Sequence, residues 1–63
     1  MNLSAAPISP LDLSVGSTYH DRSDGFTFEV AEIEVKGVMA KITPVVGEPF
    51  CLGGLYGRIH RVR

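Results

Sequence analysis

A single cysteine, Cys51, in 63 residues leaves no intramolecular disulfide. The usual staple of small secreted domains is therefore missing. No apolar run approaches the roughly 20 residues that a membrane helix needs, so no membrane association is expected. No basic stretch followed by an apolar one opens the chain, so a secretory leader is not expected either. Charge of one sign is also lacking. Six Lys+Arg against seven Asp+Glu give a formal net charge of −1, too little for a strong global pull toward nucleic acid. There is no internal repeat, no low-complexity tract and no sustained helical periodicity. A soluble, cytoplasmic single domain is the expectation. The chain begins with Met and closes on a strand pattern, so a complete small reading frame is expected. Compact genes of this size suggest a phage or mobile-element product.

What is present is a globular composition: 44% hydrophobic and 21% charged, with mean hydropathy +0.16. That is too apolar for a disordered chain. The thermodynamic margin is thin. Surface scaling gives about 9,900 Å² for the unfolded chain and about 4,000 Å² for the folded monomer. If about 60% of the difference is apolar, its burial contributes about 90 kcal/mol. Ordering the chain costs about 95 kcal/mol. The two terms cancel, and association is a ready source of further stability, so a homo-oligomer is expected.

Residues 1–10 carry Pro7 and Pro10 and read as an extended N-terminal arm. Residues 11–63 read as one small β domain. Ser9 is placed to cap a single helical turn with Pro10 at its first position. Leu11 to His20 has strand period through Leu11, Leu13 and Val15, broken at Gly16. Asp24-Gly25 marks a tight hairpin turn. Phe26 to Lys36 is the clearest strand. Phe26, Phe28 and Val30 share one face, and then the phase shifts to Ala31, Ile33 and Val35. A slip of one residue inside a strand predicts a β-bulge at Val30-Ala31. Gly37 allows a reversal, Val38 to Thr43 is a third strand ended by Pro44, and Val45 to Pro49 is a loop. Phe50 to Leu52 is a short apolar strand broken by Gly53-Gly54. Leu55 to Val62 is the last strand. Phe28, Ile33, Val35, Ile42 and Ile59 are the expected core.

The fold class is therefore all-β. A long bulged second strand among short ones resembles a small five-stranded SH3-like barrel from Leu13 to Val62. A strongly bent antiparallel sheet is the alternative. The resemblance is architectural only. The aromatic-rich acidic loop of peptide-binding SH3 domains is missing, so no functional residue carries over from it.

Charge divides along the chain. Residues 1–34 hold six acids and one base, and residues 35–63 hold five bases and one acid. Pairing across neighbouring strands would neutralise the halves. Two complementary patches would instead suit a charged partner. The acidic face of the long strand, Glu29, Glu32 and Glu34, is the expected contact with a protein partner. The alternative is nucleic acid. Strand alternation puts Tyr56, Arg58 and His60 on one face of the last strand, where a ring and cations meet a base and phosphates, with Arg61 adding charge. His20, Asp21, Cys51 and His60 lack metal-ligand spacing, and Cys51 between Phe50 and Leu52 reads as a buried small hydrophobe. Gly53, Gly54 and Gly57 precede no helix and so form no phosphate loop. A pocket of roughly 300–1,000 Å³ is hard to build in so small a core. No catalytic residue, metal or cofactor is expected. The function expected is a non-enzymatic inhibitor or adaptor that binds a host macromolecule through protein contacts.

Overall fold

The computed structural model describes residues 2–63; Met1 of the expected arm lies outside them. The chain forms five antiparallel strands in one sheet: β1 (Thr18–Asp21), β2 (Phe26–Lys36), β3 (Met39–Pro44), β4 (Phe50–Gly53) and β5 (Ile59–Arg61). Their order in the sheet is β4-β3-β2-β1-β5. The all-β expectation holds. No ladder joins β4 to β5 among the described residues, so the sheet is not closed into a barrel by strand pairing. No helix among these residues is long and apolar enough to cross a membrane.

The long strand organises the sheet. Its first part, Phe26 to Glu29, pairs with β1. Its second part, from Val30 to Lys36, pairs with β3. The register shifts between Val30 and Glu32, where the change in apolar phase demanded an extra residue. Because of that residue, Phe28 and Val30 before the bulge and Ile33 after it all turn toward the core. The hairpin turns fall at Gly25 (φ 69°) and Gly37 (φ 59°), in the left-handed region that a Cβ penalises.

The core holds Leu13, Tyr19, Phe28, Val30, Ala40, Ile42 and Ile59, with Ile33 packed partly against it. Phe28, Ile42 and Ile59 are thus core residues, as read from the alternation. Val35 is not: it is 47% exposed. It lies beyond the end of β1, so β2 has a strand on only one side there.

Two strands are shorter than their patterns suggest. Leu11 to Ser17 is not strand. Pro10–Asp12 is a 3₁₀ turn, and the Ser9 side chain accepts from the Leu11 N–H as the cap. Leu13 is buried from a loop held by a Ser14 N–H bond to the Tyr19 hydroxyl (2.9 Å). At the other end, Leu55 to Arg58 is turn and loop, and only Ile59–Arg61 pairs with β1. Glycines at 53, 54 and 57 weaken strand there.

The arm lies along the free side of β5. The Ser4 N–H donates to the Arg61 carbonyl (2.8 Å), the Ile8 N–H to Ile59 (2.7 Å) and the Arg63 N–H to Asn2 (2.8 Å). From there the chain crosses to β4, where the Ser9 hydroxyl donates to the Gly54 carbonyl (3.1 Å). Leu11 packs so close to Gly54 that a Cβ there would stand 2.8 Å from Leu11 Cδ1.

Candidate functional site

The three glutamates of β2 share the outer face. Glu29 stands opposite Thr18, Glu32 opposite Thr43 and Glu34 opposite Lys41. All three are exposed. Glu34 also lies 3.9 Å from the Lys36 ammonium, a pair with both side chains well in solvent. Such a pair contributes little, about 0–1 kcal/mol, but two flanking lysines dilute the local field. The uncompensated part of this face is therefore Glu29 and Glu32, whose neighbours across the ladders are threonines. A cation stands across the ladder from Glu34 and not from the other two.

Tyr56, Arg58 and His60, read as sharing one face of the last strand with Arg61 on the other, do not form that face. Tyr56 and Arg58 sit in the loop before β5. The Tyr56 hydroxyl points at Asp21, 2.8 Å from both carboxylate oxygens. His60 is buried beneath the arm, and its Nδ1 donates to the Ser4 carbonyl (3.0 Å). Arg58 and Arg61 are exposed, and Arg61 reaches the Ser17 hydroxyl at 3.5 Å. The pattern failed because period two was continued across Gly57, where the backbone is not extended into a ladder.

The structure also assembles a site that the sequence reading missed. Phe26 stacks on Phe28 (centroids 5.5 Å apart), and both meet Phe50 edge-on at 5.9 and 5.1 Å. Phe26, Phe50, Cys51 and Leu52 line an open groove of about 460 Å³, together with Asp21 and Asp24. Cys51 is exposed here, not buried. On a four-residue edge strand, only Phe50 and Leu52 turn toward the core.

Asp21 is 6% exposed and accepts from the Ser23 N–H (2.8 Å) as well as from Tyr56. Partial burial first, and donation to Asp21 next, push the Tyr56 phenol above its ordinary value. One signal for this site was legible. Asp21 is two residues from the apolar Tyr19 on a strand, so period two turns it inward with Tyr19. Its place beside a turn masked that reading.

No three metal-ligating side chains converge among the described residues. His20 and His60 are cross-strand partners, but the His20 Nδ1 is engaged with the Thr27 hydroxyl (2.8 Å). The chain matches no protein-family model, and no curated protein or solved structure matches it significantly.

Proposed function

We propose that this chain is a small non-enzymatic binding protein that acts through protein–protein contacts, as an inhibitor or adaptor on a host macromolecule. The observation that carries this reading is the outer face of β2, where Glu29 and Glu32 are exposed with no cation across the ladder. Exposed charges of this kind act mainly on the rate of encounter with a complementary partner. A phage or mobile-element origin and a cytoplasmic site of action belong to the same proposal and rest on the small size of the domain and its composition. So does an SH3-like architecture, in which the arm and the 3₁₀ turn span the gap between β5 and β4 in place of a strand ladder. The engagement of Tyr56 and His60 within the fold supports a protein partner over nucleic acid.

The test starts from a partner captured from the host of origin. Charge reversal at Glu29 or Glu32 is expected to slow association several-fold at low salt, whereas Glu34→Lys, already flanked by Lys36 and Lys41, changes it little. Tight nucleic-acid binding at physiological salt, abolished by Arg58→Ala, would overturn the reading.

A further inference from the structure

Two stretches of strand edge are left unpaired among the described residues: the second half of β2, on the side away from β3, and the outer side of β4. They differ in chemistry. The β2 edge carries Glu32, Glu34 and Lys36, and charges of this kind discourage an added strand. The β4 edge, Phe50–Gly53, carries no charge at all. The third candidate, the outer edge of β5, is occupied by the arm.

The backbone of β4 determines what an incoming strand would meet. The Gly54 N–H donates to the Val38 carbonyl (2.7 Å). Antiparallel ladders alternate, so Leu52 and Phe50 point their backbone groups at β3, and Cys51 and Gly53 point theirs outward. The Gly53 carbonyl is taken by the Tyr56 N–H (3.0 Å). The Cys51 N–H and carbonyl and the Gly53 N–H remain to be bonded.

The groove beside this edge joins an aromatic wall to two carboxylates. Asp21 is nearly buried, yet its partners, the Tyr56 hydroxyl and the Ser23 N–H, are neutral. No ion pair compensates it or Asp24 among the described residues. A buried carboxylate without a cation is an expensive arrangement, and an aromatic face beside it attracts a cation further.

We propose that β4 and this groove accept an extended segment of a partner protein, which pairs with Cys51 and lays a lysine or arginine side chain over Phe26 and Phe50 toward Asp24 and Asp21. The inference rests on the protein-binding reading but uses a different surface from the glutamate face. Backbone pairing supplies the register, and the carboxylates select a basic residue at one position.

The probe is a blocked seven-residue peptide alternating valine with lysine, titrated into the ¹⁵N-labelled full chain. The comparison peptide carries glutamine in place of lysine. The expected result is shifts in the amides of Cys51, Gly53 and Phe26, with the lysine peptide binding at least tenfold more tightly than the glutamine one. Asp24→Asn should lower its affinity at least threefold while leaving the free spectrum elsewhere unchanged. Equal binding of the two peptides, or no shift at β4 at millimolar peptide, would overturn the inference. Shifts confined to Glu29 and Glu32 would overturn it too, while leaving the protein-binding reading in place. Movement of the β4 amides with protein concentration alone would show that a second copy is the occupant, and so would also overturn it.

Discussion

Tyr56 shows how one side chain can be assigned to the wrong work by pattern alone. In a strand it would present a free ring. In the fold its hydroxyl closes the end of β1 by donating to Asp21. That bond has a pH consequence with a definite sign. The folded phenol holds its proton more firmly than the unfolded one, because burial and the Asp21 carboxylate disfavour the phenolate. The stabilisation is fully present below the unfolded value, near 10, and is lost as pH rises through the higher folded value. Stability is therefore expected to fall above about pH 10 in the parent. In Tyr56→Phe it should fall less over the same window. Urea melts at pH 9, 10 and 11 check this, and parallel slopes for the two proteins would contradict it. At the core, Ile42 and Ile59 are legible because each is an apolar member of an alternating run and is fully enclosed. Val35 has the same pattern but lies near the far end of β2, past the reach of β1 and one residue from the end of the strand, and it stays half exposed.

Among the elements, β2 was the most readable, because its information is local. Alternation gives the face, the slip in alternation gives the bulge, and Gly25 and Gly37 give the two turns. Ala31 is the residue that the bulge inserts between the two ladders. Deleting it would put Phe26, Phe28, Val30, Ile33 and Val35 in one continuous period, so Ile33 would still face the core, Glu29, Glu32 and Glu34 would stay outside, and the β3 ladder would run on without a bulge. The expected outcome is a folded variant with a dispersed ¹⁵N spectrum, its changes centred on the junction of the two ladders. Collapse of amide dispersion would show that the local bend at Ala31, and not register alone, is needed for the fold. The arm and the last strand were less readable, for one reason. Residues 2–8 have no period of their own and take extended form from hydrogen bonds to β5, a partner more than 50 positions away. Leu55 to Arg58 has a period but no strand ladder, only isolated backbone bonds such as the Arg22 N–H to the Arg58 carbonyl (2.9 Å).

As a whole, the molecule exposes 4103 Å², close to what scaling gives for a monomer of this mass. Much of what it exposes is apolar. Val38 and Leu55 flank the bonded Val38–Gly54 pair near the tip of the β2–β3 hairpin and are 75% and 102% exposed, and Val46 is 84% exposed in the loop before β4. A thin margin between burial and chain entropy, with large side chains left in water, argues for association in solution. The melting temperature is expected to rise with protein concentration through the micromolar range, since association stabilises only the folded state. A melt independent of concentration, with a monomer mass by light scattering, would remove this expectation.

The amino-acid sequence by itself determined the β class, the long second strand with its bulge, the glycine turns and the central apolar residues. All of these follow from chemistry within a few residues of chain, where side-chain period and backbone conformational cost act directly. Only the tertiary structure decided that the sheet stays open between β4 and β5, that the arm covers one edge, that His60 is buried and that Asp21 meets Tyr56. Each depends on which segments distant in sequence come together, and hydrogen bonds between such segments leave no periodic trace in either partner. The groove beside β4 has the same origin. Phe26, Phe50 and Asp24 belong to three separate local patterns, and it is the packing of β2 and β4 at one end of the sheet that makes them one surface.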